Sequence, residues 1–219
     1  MDAVKFIALH LELECIGFDS AGDLIALPCE NPDTLPLFYA ARYTAGEVRY
    51  FRQGLAASLR SALNSLPLEV VLHDEQTVCD LLTSSDTHTG RSYIFPDTLS
   101  ADDYPNAVQL NTTHAALVAR FNPELQVENR TVYAVIAAGQ IVSTCESSRE
   151  NNQAGEAWVQ TLPDYRGRGF ARQVTAAWAH ALQRQGKTPF YSHKHTNLAS
   201  QGVARSLGLM QYIEDAVYA

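Results

Sequence analysis

Pro163-Asp164-Tyr165-Arg166-Gly167-Arg168-Gly169-Phe170-Ala171 is a glycine- and arginine-rich run between two segments of different period. It follows a β-rich run, 157–162, and precedes a segment of helical period. There Phe170, Val174, Ala177, Trp178, Ala181 and Leu182 recur on one face, and Gly186 ends the run. A glycine-rich turn therefore opens a helix. The first turn of a helix carries backbone N–H groups without intrahelical partners, and the helix dipole adds partial positive charge there. Glycines let a phosphate approach the backbone closely. Arg166, Arg168 and Arg172 add positive charge beside it. The ligand expected at such a turn is a di-anion such as a pyrophosphate.

Two other phosphate loops do not fit. No Gly-Lys-Ser/Thr closes the turn, as a nucleoside-triphosphate loop requires. The glycine spacing is not Gly-x-Gly-x-x-Gly, and no acidic residue about 20 positions downstream could hold a ribose.

The surrounding pattern is regular. A helix is expected over 113–121. Strands are expected over 132–137 and 141–145, joined by an Ala138-Gly139 turn. After the helix beginning at Phe170 come a short strand at 189–192 and a second helix. Asn197 can cap that helix, which carries Val203, Ala204 and Leu207 and closes at Gly208. The order is strand, strand, strand, helix, strand, helix, strand. The first hundred residues are harder to read. Residues 4–16 alternate like a strand but also allow a helix. Asp19 to Asp23 reads as a turn. Strands are expected over 23–27, 37–43 and 48–51, with Ala45-Gly46 as a hairpin connection. Leu55, Leu59, Leu63 and Leu66 mark a helix stopped by Pro67, followed by a strand at 68–72 and a helix at 73–82. The polar run 83–90 reads as a linker, with a domain boundary between 85 and 105.

Arg166-Gly167-Arg168-Gly169-Phe170-Ala171 also resembles the Arg/Gln-x-x-Gly-x-Gly/Ala pyrophosphate motif of the GNAT superfamily of N-acetyltransferases. Three neighbouring features strengthen the resemblance. These are the Pro-x-Tyr-Arg approach, the helix after the motif, and Asn197-x-x-Ser200-x-x-Val203-Ala204-Arg205-x-x-Gly208-Leu209, which is similar to the family's second conserved helix. The similarity covers about 131–213. The whole chain resembles a group of bacterial GNAT proteins with an extra N-terminal region, chiefly through the run Glu156-Ala157-Trp158-Val159-Gln160-Thr161-Leu162-Pro163. Weaker matches are Phe18-Asp19-x-x-Gly22, Val48-Arg49-Tyr50-Phe51-Arg52 and Tyr93-x-Phe95-Pro96.

The resemblance implies an α/β (mixed α+β) GNAT acyl-CoA N-acyltransferase fold. The GNAT domain would occupy 101–219, with an appended N-terminal α+β region at 1–100. It implies acetyl-CoA as co-substrate, lying where strand 157–162 splays from strand 189–193. Backbone groups of Gln160, Thr161 and Leu162 would pair with the pantetheine arm. Arg166, Gly167, Arg168, Gly169, Phe170, Ala171 and Arg172 would hold the pyrophosphate, and Asn197 and Ser200 would also meet the cofactor.

The implied reaction is direct acyl transfer to a small-molecule or peptide amine. The ammonium must first lose a proton. The oxyanion needs an N–H donor, which the backbone at Val159 or Gln160 would supply, and the departing thiolate needs an acid. Many relatives place a tyrosine seven residues after the asparagine, where this chain has Ala204. Ser200 then inherits the role of acid, unless it only satisfies its own helix backbone, with Tyr212 behind it. The base candidates are Glu156, Glu146, His193 and His195. A water chain with no single base is the alternative. A non-catalytic acyl-CoA-binding or sensor module is the rival from another class. Trp178 lies on the apolar helix face and is expected in the core, whereas Trp158 is undecided. Only 11 residues follow Gly208, enough for about one strand, so the N-terminal region or a second protomer must complete the substrate side.

Composition narrows the remaining classes. The chain has 219 residues, 46% of them hydrophobic, and a net charge of −8. No concentrated basic surface is available for nucleic acid, and no run approaches the roughly 20 apolar residues of a membrane span. The N-terminus lacks signal-peptide features. Cys15, Cys29, Cys79 and Cys145 form no Cys-x-x-Cys pair and are expected to be reduced thiols. A cytoplasmic protein, monomeric or homodimeric and without a resident metal, is the expectation.

Overall fold

The computed structural model describes residues 2–29, 34–97, 99–128 and 130–219. In chain order the elements are α1 (Ala3–Leu13), β1 (Ile16–Phe18), β2 (Leu24–Ala26), β3 (Phe38–Tyr43), β4 (Gly46–Phe51), α2 (Ala57–Ser65), α3 (Leu68–His73), α4 (Glu75–Leu82) and β5 (Thr87–Ile94). They continue as β6 (Ala107–Gln109), α5 (Ala115–Phe121), β7 (Val132–Ala137), β8 (Gln140–Glu150), β9 (Ala154–Thr161), α6 (Phe170–Arg184), β10 (Thr188–Lys194), α7 (Leu198–Ser206) and β11 (Met210–Tyr218). Two compact units result. Unit 1 is made of 1–93, 192–198 and 211–219, and unit 2 of 94–191 and 199–210.

In unit 1 the strands run in the order β4-β3-β11-β5. β3 and β4 form the expected hairpin, pairing Tyr43 with Gly46 at the turn. β11 pairs antiparallel with β3 from Glu214↔Arg42 to Tyr218↔Phe38. The core beneath them gathers Phe38, Phe51, Leu63, Val71, Leu72, Val78 and Tyr218. Each such side chain removed from water contributes roughly 1.5–3 kcal/mol.

In the N-terminal stretch one open reading is decided and two are corrected. Residues 4–16, left open between strand and helix by their pattern, form helix α1. Asp2 accepts from the Lys5 N–H at its start, and the buried Ala3, Ile7, His10 and Leu11 recur at helical spacing. The run 68–72 is helical as α3. The Pro67 carbonyl accepts from Val70 and Val71 N–H, and burial of Val71 and Leu72 outweighs the strand preference of the valine pair. The polar run 83–90 is no simple linker, because Thr87 onward forms β5. The Asp19–Asp23 turn is present: the Asp19 carboxylate accepts from Ala21 and Asp23 N–H.

The cysteine expectation is corrected too. Cys15 and Cys29 form a disulfide, with 6.1 Å between their Cα atoms. Their sequence gap looks irregular, but β1 and β2 pair antiparallel, Ile16 opposite Ala26, and fold the two ends together. The loop spans 14 positions, and closing a loop of about 15 residues stabilises by about 3 kcal/mol in the chain-entropy account.

Unit 2 carries strands in the order β10-β9-β8-β7-β6. β6 to β9 are antiparallel neighbours, and β9 and β10 are parallel. The β7–β8 turn is the expected Ala138-Gly139, both residues at positive φ. α6 packs on this sheet through Val174, Ala177, Trp178 and Leu182. Trp178 is fully buried, and its indole N–H donates to Ser147 Oγ at 3.0 Å. Gly155 permits close packing here, since a Cβ would lie 2.8 Å from a Leu182 methyl. No helix among the described residues is long and apolar enough to cross a membrane.

Trp178→Ala is expected to destabilise the protein by about 3–5 kcal/mol, read from the denaturant midpoint. Peptide mapping without reductant should recover the Cys15 and Cys29 peptides joined. Under native conditions alkylation should reach half-buried Cys79 well before Cys145, whose thiol is fully enclosed and pushed up by burial.

Candidate active site

Unit 2 holds the glycine turn. Leu162 leads into a short 3₁₀ turn, Pro163–Tyr165, and Gly169 caps α6 in the left-handed conformation at φ 77°. A side chain there would be strained, which explains the glycine. A Cβ built at Gly167 or Gly169 would meet nothing within 4 Å, so space lies open in front of both. The Gln173 N–H bonds the Gly169 carbonyl at 3.2 Å and closes the first helical turn. The N–H groups of Phe170, Ala171 and Arg172 precede that bond and mark the positive end of the helix.

The arginines divide by task. Arg166 Nε donates to the Thr161 carbonyl, and Arg168 donates to the Asp164 carbonyl while lying over the Tyr165 ring. Both are exposed. The Arg172 guanidinium is committed inside the protein, to the carbonyl and carboxylate of Asp103 and to the Ser206 carbonyl. Its side chain is a brace between α6 and the end of α7.

The second part of the site is the parting of two strands. β9 and β10 pair only at Thr188↔Ala154, Pro189↔Gly155 and Phe190↔Glu156. From Ala157 onward the β10 edge of β9 has no register partner, while its other edge stays on β8 through Thr161↔Ser143. Gln160 and Thr161 lie on this released stretch. Leu162 does not share in it, because its N–H donates to the Val142 carbonyl and its carbonyl accepts from Tyr165. Any contact of Leu162 with a pantetheine arm would therefore fall to its carbonyl, which has a second lone pair.

Glu156 occupies the last paired position and is buried. Gly155 faces Leu182 of α6, so by strand alternation Glu156, Trp158 and Gln160 share the opposite face. Trp158 is 61% exposed there. Glu146, opposite Trp158 on β8, has its carboxyl raised by burial, with Arg130 at 3.5 Å opposing. Ser200 is half-buried in the first turn of α7, and Ala204 is buried one turn later.

Unit 1 holds the remaining candidates. His193 Nδ1 lies 2.9 Å from the Lys194 carbonyl, which can only accept, so Nδ1 carries the proton. Its Nε2 lies 3.1 Å from Tyr93 Oη and accepts from that hydroxyl in the neutral ring. Burial holds this imidazole below its ordinary range. Tyr93 is the member that residue patterns missed; its only sequence signal was the weak Tyr93-x-Phe95-Pro96 match. Asn197 follows β10, its N–H donating to the Lys194 carbonyl. Tyr212 Oη lies 2.6 Å from His10 Nδ1 in the interior of the same unit.

Comparison with known proteins follows the same lines. No curated protein matches the chain. Among solved structures, a GNAT-family acetyltransferase from Colwellia psychrerythraea superposes with a TM-score of 0.52 at 15% identity, over 78% of this chain and 75% of that one. A GNAT-family acetyltransferase from Novosphingobium aromaticivorans gives 0.49 at 20% identity, over 61% of this chain, which spans 65% of that structure's length. The aminoglycoside N-acetyltransferase AAC(6')-Iy, solved in complex with CoA, gives 0.38 at 19% identity over 48% of this chain and 92% of its own. The family model described as GNAT acetyltransferase matches residues 98–218. With more than half of its length under that model and a mixed α/β fold of the same kind, the chain belongs to the GNAT acetyltransferase family.

Proposed function

We propose that the protein transfers an acetyl group from acetyl-CoA to a primary amine of a small molecule or peptide. The observation that carries this reading is the open start of α6 beside the parted strands β9 and β10. Unpaired amides at Phe170 to Arg172 would hold a pyrophosphate, and Arg166 and Arg168 would add charge from the exposed side. The released edge of β9, through Gln160 and Thr161, would pair with an amide-bearing arm as a neighbouring strand does. Val159 or Gln160 N–H would face the developing oxyanion. The residues fit an acyl-CoA in charge and backbone availability.

The amine arrives as an ammonium whose ordinary pKa is about 8 to 10 and must be deprotonated before attack. Glu156 is the base this reading favours. It stands at the point of parting, on the face of β9 away from α6. Ser200 would return a proton to the departing thiolate. His193, its Nε2 accepting from the Tyr93 hydroxyl, is the second candidate base. A sensor module is the second reading, favoured by buried Ala204 where many relatives carry a tyrosine.

Acetyl-CoA with an amine panel, followed by thiol release, decides between them. Turnover above the hydrolysis background is expected with at least one amine. Glu156→Gln should then lower kcat by about 100-fold or more, with little change in KM for acetyl-CoA. Binding with no turnover for any amine would favour the sensor. Arg166→Glu together with Gly169→Glu should weaken CoA binding in calorimetry by at least ~10-fold, about 1.4 kcal/mol. Circular dichroism should stay unchanged, while Tm falls by the strain of a side chain at Gly169. Unaltered affinity would mean that the ligand binds elsewhere.

A further inference from the structure

We propose that His73, His195 and Glu214 form a binding site for a divalent transition metal of zinc type, which closes unit 1 across its three separate stretches of chain. Unit 1 is assembled from 1–93, 192–198 and 211–219. One ligand comes from each: His73 from the end of α3, His195 from just after β10, and Glu214 from β11. One ligand atom of each lies within 4.8 Å of the other two. His195 Nε2 is 3.6 Å from Glu214 Oε1. In a tetrahedral zinc site, with bonds of about 2.0–2.2 Å, neighbouring ligand atoms stand about 3.3–3.5 Å apart. The His195–Glu214 pair is already near this spacing, and His73 would close in by at most about 1.4 Å.

The surroundings suit a metal ligand shell. Arg42 Nη2 holds the other oxygen of Glu214 at 2.6 Å, which aims Oε1 at the imidazoles. Glu69 bridges Arg42 and His73, with Oε2 3.3 Å from His73 Nε2. Outer partners of this kind fix the orientation of metal-binding side chains. A water would take the fourth position. Arg91 Nη2 stands 3.6 Å from Glu214 Oε1, and its half-exposed side chain can turn outward when a cation enters. Two carboxylates and two guanidiniums cancel in charge, so the selective element is the imidazole pair. That favours zinc-like ions over calcium or magnesium, which want several oxygens. Entry is from the His73 side, where the ring is 45% exposed.

The full chain, stripped with chelator, is titrated with ZnCl2 in a calorimeter and melted with and without the ion. One equivalent should bind and raise Tm, since a ligand of the folded state stabilises it. His73→Ala and His195→Ala should each weaken binding at least ~10-fold and remove the Tm rise. Their metal-free circular dichroism should match that of the parent chain. Co2+ should give the visible spectrum of a tetrahedral nitrogen and oxygen site without sulfur charge transfer, and Cys79→Ala should leave zinc binding intact. MgCl2 should give no heat. The absence of stoichiometric zinc binding, or an affinity indifferent to both histidines, overturns the proposal. If His73→Ala alters the metal-free spectrum, His73→Gln, which retains the side chain's length and polarity without the imidazole, takes its place under the same criteria.

Discussion

The site depends on a backbone constraint at one residue, Gly169. A helix can present bare N–H groups only if the chain enters it without covering them. Here the entry is a left-handed glycine with open space before it, and no capping side chain accepts from the first turn. A serine or aspartate at the same position would satisfy an amide internally and place an oxygen where the proposed pyrophosphate would sit. The chain thus forgoes the roughly 1 kcal/mol that a side-chain cap contributes. What fixes the helix start instead is packing, through the buried face of α6 and the Trp178 indole bonded to Ser147. Arg172 adds a brace from the exposed side to Asp103 and Ser206.

A second constraint is the short pairing of β9 and β10. Parallel strands normally satisfy each other's edges along their length, and an edge left bare invites an extended partner. Pairing that stops at Phe190↔Glu156 leaves the end of β9 with one edge on β8 and one edge open. The strand is held firmly enough by β8 to remain a strand. Its available edge then has fixed geometry, which is the condition for recognising a linear ligand with amides along it.

The C-terminal half was legible because its elements are long and strictly periodic. The face of α6, the Ala138-Gly139 turn and the order of strands and helices all follow from local spacing. Glycine spacing with the arginines marked the turn that Gly169 caps. The N-terminal half was legible only in its turns and its β3–β4 hairpin. At α1 an alternating run hid a helix, because Leu9 and Leu13 satisfy both periods and only burial decides. At α3 two valines indicated a strand, but Pro67 and the interior position of Val71 and Leu72 impose a helix. The disulfide escaped because a pair 14 positions apart has no spacing rule and depends on β1 and β2 folding back. Tyr93 and the residues around Glu214 escaped for a related reason. Tyr93 meets His193 100 positions away and Glu214 meets Arg42 172 positions away, and no local pattern joins them.

Distance in sequence also explains how unit 1 is built. Its strands come from both ends of the chain, with β11 received by β3. Contacts of this separation form late and at the expense of loop entropy. They must therefore be reinforced where they meet. Tyr218 does so at one end of the stretch of β11 paired with β3, its hydroxyl donating to the Val71 carbonyl at 2.6 Å, and Glu214 does so at the other end of that stretch through Arg42. Both reinforcements return to the same short helix, α3, which carries Val71, Glu69 and His73. A segment read from its own residues as a strand is thus the element on which the C-terminal strand is anchored. Its helical form is what turns Glu69 and His73 toward one cluster, four residues apart on one face.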